Sequence, residues 1–232
     1  MKDLEISDFI MLKSQFEQPD PQSFVELIIG SQRKEENMYG PVFTTRFVMY
    51  ALQFIAKKFG EKPPKDIKDL NQLAKHVISM CGKHPRAYNA IIYAQAKTEN
   101  DLQGQIGVGI RVAAMDFSRD AVKGSNVERR TFDVDDAISK IHQYTIAMKI
   151  CPPELGYRKN EDGSVDLLTP NCYAMDGCRQ AFEEGLKRLD GRLNCGQSAF
   201  LCQFLKLISG YEWDYDLLES YKPHCLVRFC II

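Results

Sequence analysis

The sequence predicts an α+β protein. Apolar residues recur at helical spacing through most of the first half, and short alternating segments bounded by turn residues gather in the last third. Helices and antiparallel strands in separate runs, rather than repeated βα units, mark this class. The chain has 232 residues, 30 basic against 31 acidic side chains and 44% hydrophobic residues, an ordinary globular composition. A net charge of −1 argues against a nucleic-acid surface made by bulk charge. No apolar run approaches the roughly 18 to 20 residues needed to span a bilayer. Acidic residues interrupt Met1-Lys2-Asp3-Leu4-Glu5 before any signal-peptide core can form, so the expected location is cytoplasmic.

The elements follow in order. Asp20-Pro21 reads as an N-cap and first-turn proline, and the apolar stripe through Phe24, Val25 and Ile28-Ile29 is expected to end at Gly30. Phe43, Phe47, Tyr50 and Phe54 define a second helix over 42–59, with Val48, Ala51, Leu52 and Ile55 widening its face and Gly60 as a left-handed stop. Beyond Pro63-Pro64, Ile67, Leu70, Ala74, Val77 and Cys81 share one stripe. Residues 88–96 read as helix, with another segment from Asp101 toward Val122. The order G-x-x-G-x-G over 104–109 is not the dinucleotide fingerprint. Lys123-Gly124-Ser125-Asn126 reads as a loop, and Val127 to Phe132 as a short strand. Asp133 caps the next helix, ahead of Ile138, Ile141 and Tyr144. Glu161-Asp162-Gly163 signals a hairpin between 156–160 and 164–169. Helices are expected over 173–189 and 195–208, then a terminal hairpin of Trp213, Tyr215 and Leu217 against Cys225, Val227, Phe229 and Ile231, turning at Lys222-Pro223-His224. The expected organisation is an N-terminal helical extension over 1–38 and a single α+β domain over 39–232. In that domain a helical half packs on an antiparallel sheet ending in a C-terminal hairpin, and 151–232 is rich in cysteine.

Seven of the eight cysteines lie in that last part. Phe229-Cys230-Ile231-Ile232 places its cysteine third from the end, so it is not a prenylation box. Cys195 and Cys202 stand seven apart on one helix face, Cys172 and Cys178 lie upstream, and His224 adjoins Cys225. Thiolates and imidazole suit zinc, whose structural sites take four such ligands. Packing of the same cysteines in the core is the competing reading. Cys195 is also the candidate catalytic thiol, because the first turn of a helix favours a thiolate. Phe47, Tyr50, Phe54, Tyr144, Phe200 and Phe204 are the candidate ligand-binding aromatics for a flat, apolar molecule; core packing is the alternative for them too.

The C-terminal third carries a resemblance. A hairpin with a central glycine leads to a strand ending at Thr169-Pro170 and a stretch from Cys172 to Cys178. There follow a helix opening at Cys195-Gly196 and containing Cys202-Gln203-Phe204-Leu205, a strand around 215–220, and Cys225-Leu226-Val227-Arg228-Phe229. This resembles the 4-vinyl-reductase-type domain, whose α+β ligand-binding fold is shared with Golgi-trafficking subunits and with sensor domains of aromatic-responsive regulators. The resemblance implies a small hydrophobic or tetrapyrrole-like ligand and a homodimer formed through helices. It also implies a zinc or iron site with Cys195 or Cys202 from the helix and Cys225 from the last strand. The penultimate strand has no cysteine, so Cys172, Cys178 or His224 would complete the set. Sensing, carrying or presenting the ligand is the expected function. The alternative is an enzyme on a small organic molecule, a reductase by family analogy or a hydrolase using Cys195.

Overall fold

The computed structural model describes residues 6–15, 18–104, 106, 108–125, 133–150, 154–192, 194–219 and 224–232. Among these the element order is β1 (Ile10–Lys13), α1 (Pro21–Tyr39), α2 (Pro41–Phe59), α3 (Leu70–Cys81), α4 (Asn89–Gln103), α5 (Val108–Ser125) and α6 (Val134–Ala147). Then come β2 (Glu154–Lys159), β3 (Val165–Pro170), α7 (Met175–Glu183), α8 (Gly196–Ser209), β4 (Trp213–Glu219) and β5 (His224–Ile231). The class is α+β. None of these helices is long and apolar enough to cross a membrane. The chain divides into two compact units: a helical one, Asp20–Val112 with Tyr173–Asn194, and an α+β one, Met1–Pro19, Ala113–Cys172 and Cys195–Ile232.

The α+β unit is organised by a fully antiparallel sheet in the order β1-β2-β3-β5-β4. Both expected hairpins form. Between β2 and β3, Gly163 takes φ 82°, Asn160 N–H donates to the Ser164 carbonyl at 2.8 Å, and Asp162 Oδ1 accepts from the Ser164 amide at 2.9 Å. That left-handed position needs glycine. Cross-strand pairs put Tyr157, Leu167, Val227 and Leu217 on one face, with Tyr215 and Phe229 beside them. The opposite face carries Arg158, Asp166, Arg228 and Asp216 in one row across four strands. Asp166 has no exposed surface and accepts from Arg158 Nη2 at 2.7 Å and from Arg228 Nε and Nη2 at 2.7 and 2.9 Å. Burial opposes its ionisation, but the hydrogen bonds from Arg228 and Arg158 outweigh it and hold the carboxyl below its ordinary range. Beside this row Phe9, Leu168 and Leu226 form a small core with Met11 against it. A Cβ at Gly156 would stand 2.7 Å from Met11 Sδ and 3.2 Å from Phe9 Cβ, so glycine is what lets that segment lie on the sheet.

The helical unit is built around α4, which is buried on nearly every side and packs against α1, α2 and α7. Asn89 ties α7 down: its Nδ2 donates to the Tyr173 carbonyl at 2.9 Å, and its Oδ1 accepts from Gly177 N–H at 2.9 Å. Gly177 is required there, because a Cβ would meet the Asn89 carbonyl at 2.6 Å.

Several local expectations need correction. Ile10–Lys13 is a strand within the stretch expected to be helical, formed by pairing with β2 rather than by any local period. α1 runs through Gly30, where nothing crowds the backbone, and ends at Gly40 with φ 68°. The helix expected to start at Asp101 is instead the end of α4, closed by left-handed Gly104 before α5 begins at Val108. Lys123-Gly124-Ser125 is the last turn of α5 rather than a loop. α7 occupies half of the stretch expected from 173 to 189, and Ile67 precedes α3. The expected strand Val127–Phe132, the turn residues Lys222-Pro223, Asn126 and Cys151 lie outside the described residues. The Asp133 cap holds, accepting from the Asp135 amide at 2.9 Å, as does the left-handed stop at Gly60, φ 70°.

Asp166→Ala would leave two guanidinium groups without their shared carboxylate. We expect a loss of about 2–3 kcal/mol in urea unfolding, below the range for fully buried pairs because both arginines reach water. The wild type should also lose this contribution as pH falls below the ordinary aspartate range, since a lowered pKa stabilises the fold only above it.

Candidate functional site

In the α+β unit, rings from three helices converge. Phe117 of α5 lies 4.6 Å from Phe200 of α8 and 5.7 Å from Tyr144 of α6, and Phe200 lies 6.3 Å from Phe204. Ser118 Oγ donates to the Phe200 carbonyl at 3.1 Å, fastening α5 to α8. Three of the expected ligand-binding aromatics, Tyr144, Phe200 and Phe204, therefore meet. Phe117 was not among them, although it shares a helical stripe with Ala114, Ala121 and Val122. The other three lie in the helical unit. Phe47 and Phe54 are buried in its core, 5.7 Å from Phe43 and 5.5 Å from Tyr93 respectively. Tyr50 is half-buried and its hydroxyl donates to Asp101; burial and then that hydrogen bond push its pKa up to about 12.

Cys195 caps α8 in extended conformation, and its N–H donates to the Tyr215 hydroxyl at 3.1 Å. Burial pushes the thiol pKa up, hydrogen bonds from Ser198 and the backbone lower it less, and the charge on Cys225 raises it again. Cys225, buried on β5 opposite Thr169, is thus within electrostatic reach of Cys195. Cys172 follows β3 and Cys202 lies on the buried face of α8; both are buried. His224 opposes Pro170 and, by strand alternation, points to the other face from Cys225. Cys178 belongs to α7 of the helical unit. Among the described residues, no three His, Cys, Asp or Glu side chains gather into a group that could hold a metal.

The helical unit contains a polar interior that the sequence reading passed over. Glu35 on α1 is 4% exposed and Glu99 on α4 is fully buried, as are Gln32 and Thr98. Both Glu35 oxygens, Gln32 Oε1 and Thr98 Oγ1 have no hydrogen-bond partner, whereas Gln95 Nε2 donates to Glu99 Oε1 at 3.1 Å. Burial and then the Glu99 charge raise the Glu35 pKa from 4.5 to about 8. The available signal was positional: Gln32 and Glu35 continue the stripe of Val25 and Ile29, so polar groups occupy an apolar face.

No protein-family model matches the chain, and no curated protein or solved structure matches it significantly.

Two outcomes follow. A carboxyl whose folded pKa lies above its unfolded value stabilises fully below the unfolded value, and that contribution is lost as pH rises. From about pH 4.5 to about 8, Glu35 should therefore cost up to roughly 1.4 kcal/mol of stability per pH unit. Urea midpoints measured across that range should flatten in Glu35→Gln. Separately, Cys195 should alkylate with iodoacetamide at pH 7 more slowly than an unperturbed thiol, as peptide mapping of partly modified protein would read.

Proposed function

We propose that this chain is a small-molecule-binding protein. Its apolar or aromatic ligand, a tetrapyrrole-like molecule among the candidates, would bind at the ring cluster of α5, α6 and α8. The observation that carries this reading is the convergence of Phe117, Tyr144, Phe200 and Phe204 from three helices. Aromatic rings gathered between helices are what a flat apolar ligand stacks against. The resemblance to 4-vinyl-reductase-type domains points to the same ligand class, with the helix and last-strand cysteines Cys195, Cys202 and Cys225 as the residues from which a zinc or iron site would be drawn. Sensing or carrying is favoured over hydrolysis, because a thiol with a raised pKa is a poor nucleophile near neutrality.

The test is titration with a flat fluorescent probe such as anilinonaphthalene sulfonate, alongside solvent extraction and mass spectrometry of the purified protein. Saturable binding of one probe per chain is expected, weakened about tenfold, near 1.4 kcal/mol, by Phe117→Ala and unchanged by Phe47→Leu in the helical unit. Binding indifferent to Phe117→Ala, or the absence of any saturable binding, would overturn the reading.

A further inference from the structure

Gln32 and Glu35 of α1 and Gln95, Thr98 and Glu99 of α4 are buried polar residues on two helices that pack together. Phe24 of α1 meets Tyr88, at the start of α4, edge to face at 5.1 Å, and Glu35 feels the charge of Glu99. Glu35 lies eleven residues beyond Phe24 and Glu99 eleven beyond Tyr88, about three helical turns in each case. The ring contact, and the charge of Glu99 reaching Glu35 at the same spacing along both helices, have α1 and α4 running side by side in the same direction. Between them Gln32 precedes Glu35 by one turn, and Gln95 and Thr98 precede or flank Glu99 on the facing helix. At one end of the seam the rings of Phe24 and Tyr88 pack together. The other end collects two carboxylates, an amide oxygen and a hydroxyl.

Nearly all of these groups are acceptors. Orphaned buried oxygens are expensive, and in native proteins they mark something that donates to or coordinates them. Arg33 donates to Asn71 at 2.5 Å, Arg46 to Asp101 at 3.3 Å, and Lys97 pairs with Glu184 at 3.1 Å. On α2, the Thr44 hydroxyl donates to Glu36. On α3, the buried residues are Leu70, Leu73, Val77 and Cys81, and burial pushes the Cys81 thiol pKa up. The helices packed on α1 therefore contribute Glu99 as the charged group that Glu35 feels.

We infer that Glu35 and Glu99, with Gln32 Oε1 and Thr98 Oγ1, form a binding site for a single hard divalent cation of the magnesium, manganese or calcium class. All-oxygen ligation is what such ions take, neutral oxygens included, with water filling the remaining positions. Two carboxylates balance two positive charges, so the ion removes both the like-charge repulsion and the orphaned acceptors at once. Gln95 holds Glu99 in place through its amide and acts as a positioning residue. This site is independent of the aromatic cluster of the α+β unit.

Mn2+ is the probe, used on the full chain stripped with chelator and desalted. Electron paramagnetic resonance counts free Mn2+, and thermal melting reads stabilisation in parallel. The expected result is one Mn2+ retained per chain at pH 8. Glu35→Gln should weaken retention at least about a hundredfold, and Gln95→Leu less, while Glu26→Gln on the exposed side of α1 changes nothing. Glu35→Gln closely matches the protonated acid in shape, so circular dichroism should show it folded. If Mn2+, Mg2+ and Ca2+ all leave the melting temperature of the wild type unmoved at millimolar concentration, the inference fails. It fails equally if Glu35→Gln binds Mn2+ as the wild type does, or if primary amines stabilise the protein where the metals do not.

Discussion

Asp166 lies in the middle strand of the sheet with no exposed surface, and it is charged because Arg158 and Arg228 reach it from the strands on either side. That arrangement constrains the rest of the α+β unit. Side chains alternate across a strand, so a one-residue slip of β3 would carry the carboxylate to the face occupied by Leu167, Tyr157 and Val227. No arginine waits there. The ion row thus selects one register for three strands simultaneously, and the hydrophobic face behind it is aligned as a consequence. Phe9 then lies beneath the Arg158 guanidinium, 5.0 Å from its carbon, and closes the small core over Gly156. Desolvation offsets much of the Coulomb attraction of a buried ion pair of this kind.

Glu35 is the same functional group met with the opposite outcome. It too is removed from water, but its charged neighbour is another carboxylate, so it holds its proton through neutrality. The comparison shows how little the residue type alone decides. An acid among arginines becomes a fastener, while an acid facing an acid on an adjacent helix becomes a group in search of a partner. The two occupy different compact units, and each sets the polar character of its own interior.

The parts of the fold that were legible in the sequence are those decided locally. The hairpin at Asn160–Ser164 is written in its turn residues, the second helix in its aromatic spacing and Gly60, and the sixth in its Asp133 cap. Ile10–Lys13 was not legible, because an isolated apolar tetrapeptide becomes a strand only when β2 supplies its hydrogen bonds. Gly30 misled for the converse reason: glycine lowers helix propensity, and packing on both sides of it overrides that small cost. For the candidate site, the spacing of Tyr144, Phe200 and Phe204 identified three of four converging rings, yet it could not assign Phe47 and Phe54 to a separate core. Carboxylates are harder still. Glu184 sits in a polar stretch of the sequence, yet it accepts from Tyr93 at 2.8 Å and Lys97 at 3.1 Å. Glu35 and Glu99 carry no local mark of burial beyond the stripe they interrupt.

The α+β unit is assembled from three stretches of chain, with most of the helical unit lying between the first and second in sequence. This has a kinetic side. The helical bundle draws largely on neighbouring segments and can gather as it leaves the ribosome, but β1 must wait for β2, which is made only after well over half the chain. Until then an apolar strand with unsatisfied backbone groups is exposed, and closing so long a loop carries an entropy that only the completed sheet repays. Synthesis in the N-to-C direction thus imposes an order of events on this architecture, bundle before sheet. The exposed stretch around Ile10 is where a holding chaperone would act.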